Sequence, residues 1–595
     1  MLLVAYGATL APGVTFWDAG ELVAAVHAFG IPHPPGTPLW VAAARAWRVV
    51  AAPLSTALAT NLFSALATAL AAGALAWLLA RATRANLAAF GAAVCAGAMS
   101  TVWLDANETE VYAAVLLLAM ATLLCADRAG GRTDGATERS RGRWTVLTAY
   151  GIALAVPMHL AALVAAPAAV VLAAQDAEGT VRWERGVLLS GVAIATAGAG
   201  LANARVAGLG AWVIAVAAVV ALRRRRRGEA RRGERAGREE AGAVRWPIAL
   251  GAAGAVVLAL SALAILPLRA MHDPAINAGN PTGWTALWEV VGRRQYGAPP
   301  LWPRQAPLWL QLGNLFEYAD WQVALGLAPG VGPSWARTPF TIAFAVLGVY
   351  GAAVHRRLDR RSWRALAVLL LSASVGLVLY LNFKAGASFG WGILPDSAPH
   401  EARDRDYFFA LAFWTWGAWA GFGAVQLAAR ARPALRVAGV AVAMLPIALN
   451  WSAVDRARSD ESTTARRLAA GMLWSTPAHG VLLAGGDNDA FPCWYAQVVE
   501  GERPDVTVVV APLLGARWYR AQLWRRDSLA VDAPPAPAGG TLAEGDLIAR
   551  VAASARARGR PVAVSITAGT ARRDAAAEAG APWVLRGLAY VRDGD

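Results

Sequence analysis

The feature that most constrains this chain is a succession of apolar runs longer than an ordinary core needs: residues 54–80, 87–104, 111–125, 187–202, 206–222, 248–266, 340–354, 365–381, 408–427 and 437–449. Roughly 20 apolar residues in a helix cross a bilayer core, and a helix satisfies its own backbone there. The segment 2–15 is shorter and reads as a first membrane helix clipped at its start, since a cleaved signal peptide would need a basic flank that is missing. Segment 144–174 carries Pro157 and His159 at its middle and predicts a broken helix or a helical pair. Together these give about thirteen expected spans. Hydrophobic residues make up 57% of the 595 positions, which with a mean hydropathy of +0.41 excludes a soluble protein.

A formal charge of +15 would suit a nucleic-acid binder, but the arginines lie in short loops between apolar runs. That is the positive-inside pattern of a membrane protein, and it argues against nucleic acid as a partner. Arg223 to Arg227 and the Arg/Glu-rich stretch to Arg245 form the strongest cytoplasmic marker. Segment 39–52 carries Arg45 and Arg48 and reads as a helix on the membrane surface, because counting it as a span would put later Arg-rich loops on the wrong face. With the N-terminus inside, the loops 16–38, 268–337 and 384–406 fall on the extracytoplasmic face of a multi-pass inner membrane protein. Trp284, Trp288, Tyr296, Trp302, Trp309, Tyr318, Trp321 and Trp335 in the long loop fit sugar stacking and an interfacial belt equally. Cys95, Cys125 and Cys493 suggest neither a disulfide framework nor a metal cluster.

From residue 452 the pattern changes. Short apolar runs at 481–484, 506–510 and 561–566 alternate with helical patterns at 463–473, 494–500 and 542–558. Alternation of this kind predicts a soluble α/β domain, 452–595, with a largely parallel sheet beside the membrane domain 1–451.

Three polar sets fall on one face under this topology. In Thr15-Phe-Trp-Asp-Ala-Gly-Glu21, Asp18 lies at a helix start with Glu21 one turn on, and a rigid Pro-rich segment holding His33 follows. A carboxylate there can take a proton from an acceptor hydroxyl; the competing reading is a plain N-cap. The acidic turn Asp105-Ala-Asn-Glu-Thr-Glu110 adds Glu108 and Glu110. Arg403 and Arg405 suit a phosphate, since a guanidinium donates paired hydrogen bonds, although Asp404 and Asp406 could pair with them instead. Asp487 and Asp489 follow a predicted strand, where a cation, a sugar hydroxyl or a simple turn all fit. No nucleotide-binding fingerprint occurs. No resident cofactor is expected, and a divalent cation stays open.

Phe16-Trp-Asp-Ala-Gly-Glu21, His33-Pro-Pro-Gly-Thr-Pro38, Glu110-Val-Tyr-Ala113, Arg405-Asp-Tyr-Phe408 and Gly486-Asp-Asn-Asp489 with Trp494-Tyr495 resemble, in this order, the protein O-mannosyltransferase-like membrane family. The resemblance implies the C-class glycosyltransferase (GT-C) fold, an inverting transferase with a catalytic acid residue in the first extracytoplasmic loop, and a polyprenyl-phosphate sugar donor with a protein or glycan acceptor. By position it makes Asp18 the base and Glu21 its neighbour. A secondary transporter and an assembly protein with an outer binding domain are the alternatives; the first lacks the inverted repeat such transporters carry.

Overall fold

The computed structural model describes residues 1–131, 137–230, 246–297, 299–395, 397–531, 543–577 and 582–592. The Arg/Glu-rich stretch 231–245 lies outside the described residues. Among the described residues eight helices are long and apolar enough to cross a membrane: Thr56–Thr83, Val111–Ala129, Ala204–Arg223, Trp246–Ala270, Thr338–Leu358, Arg360–Leu381, Asp406–Ala431 and Pro433–Val454. A ninth crossing arises if the bent pair Asn86–Gly97 and Ser100–Asn107 is one span. The structure therefore does not bear out a count of thirteen, because several expected spans are short or broken. Leu2–Thr9 has only 8 residues. The segment with Pro157 breaks as expected: Ala155–Met158 ends at His159, and a 3-10 stretch, Leu160–Ala165, leads into Ala166–Ala174.

Local chemistry sets the boundaries of these helices. Ser55 starts Thr56–Thr83 by accepting from the Leu58 amide at 3.2 Å, and Arg84 ends it in the left-handed conformation. At the 69° bend the freed carbonyl of Ala98 accepts from Asn450 Nδ2 at 2.9 Å. A buried amide thus replaces the missing helical bond, as an apolar surround requires. Gly91 packs so closely on Gly421 that a Cβ at either would press on the neighbouring chain, the small-residue contact that lets membrane helices approach. Pro38–Val50 is not among the long apolar helices; Arg45 turns inward and donates to the Val26 carbonyl at 2.9 Å.

The C-terminal part folds as an α/β layer. Its five strands are β1 (Val481–Ala484), β2 (Thr507–Val510), β3 (Val562–Ser565), β4 (Trp583–Arg586) and β5 (Ala589–Arg592), in the order β2-β1-β3-β5-β4. β1 runs parallel to β2 and β3, while β5 is antiparallel to both β3 and β4. The sheet is therefore mixed rather than largely parallel, because the hairpin 583–592 adds an antiparallel edge. The helix Asp487–Val499 leaves β1 through Gly485 and Gly486 and starts earlier than the expected 494–500. That earlier start lets it reach the membrane part: it packs against the helix Ala19–Ala28 so tightly that a Cβ on Gly20 would lie 2.5 Å from the Phe491 carbonyl carbon.

Two more contacts fix this arrangement. Asp273, in the loop after the span Trp246–Ala270, accepts from Arg525 at 2.7 Å and Arg526 at 2.6 Å, and Arg526 also donates to the Ala275 carbonyl at 2.9 Å. The α/β layer is thus held to the loop after that span as well as to the helix Ala19–Ala28.

Candidate active site

Asp18 is the N-cap of Ala19–Ala28, yet its side chain makes no capping bond. Instead Oδ2 accepts from Arg403 Nη2 at 3.0 Å, with each side chain 17% exposed. The plain N-cap reading of Asp18 is thereby replaced by an ion pair. Arg403 is held between two aromatic faces, its guanidinium 4.7 Å from the Trp17 ring centre and 4.6 Å from that of Tyr407, with Nε donating to Tyr407 Oη at 3.1 Å. Among the described residues Asp18 Oδ1 and Arg403 Nη1 take part in no hydrogen bond. Burial alone would raise the Asp18 carboxyl, but His33, Arg403 and Arg405 bring it below its usual value, so it is an anion at neutral pH.

Glu21 sits one turn further on and is 1% exposed. Its Oε2 lies 2.5 Å from His33 Nδ1, and Oε1 accepts from the His33 amide at 2.9 Å. Burial opposes charge on His33, but the Glu21 carboxylate outweighs it and raises the imidazole to about 10. Glu21 and His33 thus form a closed pair beside Asp18, and the Phe491 ring lies parallel to the imidazole with centres 6.5 Å apart.

Glu110 caps Val111–Ala129, accepting from the Val111 amide at 3.1 Å. Burial, and then the Asp18 charge, push its carboxyl up to about 8. Glu108 is partly buried and makes no hydrogen bond or ion pair among the described residues. Arg405 donates to Glu401 at 3.2 Å and to Tyr407 Oη at 2.7 Å, so one phenol joins both arginines. The alternative pairing of these arginines with Asp404 and Asp406 does not occur. Asp404 accepts from Ser388 at 2.7 Å and Asp406 from Thr101 at 2.6 Å.

Asp487 opens its helix facing Asp18, His33, Arg403 and Arg405, and burial raises its carboxyl. Asp489 turns the other way: Gly485 N and Ser565 Oγ each donate to it at 2.7 Å, and Thr567 completes the set. Neither a cation nor a plain turn describes Asp489, which ties β1 to β3 inside the α/β layer. No group of three or more His, Cys, Asp or Glu among the described residues could hold a metal ion.

The structure therefore gathers Asp18, Glu21, His33, Glu110, Arg403, Arg405 and Asp487 and leaves Asp489 outside. Sequence reasoning missed Trp17, Tyr407 and Asn488, whose side chain accepts from the Trp17 amide at 2.7 Å. All three sit inside motifs already singled out, but only Tyr407, two residues after Arg405, carried a local signal, an aromatic close to an arginine.

Residues 18–180 match the family model "Protein O-mannosyl-transferase TMEM260 N-terminal domain", and residues 465–540 match "TMEM260-associated domain 2". No curated protein matches the chain significantly. The fold is similar to the crystal structure of ArnT from Cupriavidus metallidurans in the apo state, with a TM-score of 0.51 at 12% identity over 99% of this chain and 96% of that one. The structure of the same protein bound to undecaprenyl phosphate gives 0.47 at 12% identity with the same coverage. The two matched stretches include the carboxylate helix and the helix that docks on it; over them the chain is similar to the protein O-mannosyltransferase family, and its overall fold is like that of ArnT.

Proposed function

We propose that this protein is an inverting membrane glycosyltransferase that moves a sugar, mannose by the family's name, from a polyprenyl-phosphate donor to a hydroxyl of a protein or glycan. The observation that carries the reading is the Asp18–Arg403 pair, with one oxygen and one guanidinium nitrogen left over. An acceptor hydroxyl placed at Asp18 Oδ1 gives up its proton to the carboxylate as its oxygen attacks the anomeric carbon. The bond from that carbon to the phosphate oxygen breaks, and the phosphate leaves with its charge matched by Arg403 and Arg405. Attack opposite the leaving phosphate inverts the anomeric centre. Glu21 fixes His33 as a cation beside the base, and Glu110 and Asp487 border the space where acceptor hydroxyls would bind. The Arg-rich ends of the membrane helices support an extracytoplasmic site and an outer domain from residue 452.

Purified protein in bilayers should transfer labelled sugar from a polyprenyl-phosphate sugar to periplasmic protein or glycan. Absence of transfer from every such donor, with folded protein, overturns the reading.

A further inference from the structure

Besides Asp487, the C-terminal α/β layer places one further side chain against the turn that carries Asp18. Asn488 Oδ1 accepts from the Trp17 backbone N–H at 2.7 Å across 471 positions of sequence. Trp17 has φ +61°, a left-handed conformation that a bulky residue adopts only when its surroundings hold it there. In that conformation its ring lies on the Arg403 guanidinium, and the next residue is Asp18 itself. The contact is backed by the absence of a Cβ at Gly20, which permits Phe491 to touch the carboxylate helix.

We infer that Asn488 is a positioning residue: the α/β layer uses it to hold Trp17, and through Trp17 it sets where Arg403 meets Asp18. The inference rests on the proposed role of that pair. One hydrogen bond holds the strained turn, so removing it releases both the turn and the aromatic face beneath the arginine. The arginine then loses one wall of its slot while keeping Tyr407 as the other. A misplacement of this kind costs catalytic geometry, and a loss of about ten- to a hundredfold in turnover is expected.

Two readouts test it in the full-length protein in bilayers. The first is amide hydrogen exchange over residues 15–21, slow in the wild type and at least about tenfold faster in Asn488→Ala, because a lost bond of about 1.5 kcal/mol corresponds to such a factor. Unchanged exchange overturns the inference whether or not the protein transfers sugar. The second is the pH dependence of transfer. The groups facing Asp18 are His33, Arg403 and Arg405, which lower its carboxyl, and Glu21, Glu110, Asp487, Tyr112, Tyr296, Tyr407 and His159 around them. If Arg403 moves away, the acidic limb of the profile rises by roughly one pH unit in Asn488→Ala. Asn488→Asp, which keeps the acceptor oxygen, restores the rate on the neutral plateau. A uniform loss of rate with an unmoved acidic limb, not restored by Asn488→Asp, shows a fold contribution only and overturns the inference. If the wild type itself transfers nothing, the proposed function fails, and the exchange result alone decides the placement of Trp17.

Discussion

Two Asp–Arg pairs sit at opposite ends of the helix bundle, and they use the same chemistry to opposite ends. Arg361 meets Asp127 at 2.5 Å with side chains 3% and 2% exposed, and it also donates to the carbonyls of Leu172 at 2.8 Å and Gln175 at 2.9 Å. This pair ties together Val111–Ala129, Ala166–Ala174 and Arg360–Leu371, leaving its arginine no spare valence to offer a ligand. The Asp18–Arg403 pair has an oxygen and a nitrogen to spare and aromatic walls in place of carbonyls. A buried ion pair with every donor satisfied acts as a staple, whereas an incompletely satisfied one keeps groups that a ligand can engage.

Substitutions can break that contrast. Asp18→Asn has the largest expected effect: transfer falls on the order of a hundred- to ten-thousandfold while the thermal midpoint stays put, as measured by labelled-sugar transfer beside a melting curve. A variant that keeps most of its rate would remove Asp18 as the base and make Glu21 or Glu108 the next candidate. Arg361→Met does the converse. It leaves the Asp127 carboxylate with only Arg81 Nε at 3.6 Å and lowers unfolding stability by about 3 kcal/mol, read by denaturant or thermal unfolding, while the rate per folded molecule is retained. Arg405→Lys keeps the charge and loses the fork, so the donor KM rises about tenfold with turnover and protein level little altered.

The smallest effect concerns pH. His33 is raised from 6.5 to about 10 by Glu21, so the pair's stabilisation is fully present below 6.5 and is lost as pH rises through about 10. Melting temperatures from pH 6 to 10.5 should decline in the wild type by more than in His33→Gln. A parallel decline would place the titration elsewhere.

How much of this was readable in advance depended on how local the cause was. The spans, the break at His159 and the three parallel strands follow from apolar periodicity and from Pro157, all short-range signals. Asp18 and Arg403 could be assigned to one face by counting crossings, but not to each other. Asp404 and Asp406, adjacent to the arginines in sequence, looked like the natural partners, whereas neighbours along an irregular loop point in different directions. Arg405 reaches Glu401 instead, four residues back. The strands 583–586 and 589–592 went unread because neither is a continuous apolar run like 481–484, and their place depends on pairing with each other and, through β5, with β3. Asn488 had no local signal, since its partner lies at the other end of the chain.

The backbone contact between Gly20 and Phe491 has a consequence for the order in which the molecule is made. The carboxylate helix precedes all the long membrane helices in the sequence, and the segment that seats it follows all of them, so it is made only after those helices. A chain that stops before Asn488 therefore presents Trp17 and Asp18 without the contacts that the α/β layer adds. The contact between Gly20 and Phe491 can therefore form only once the α/β segment has been made.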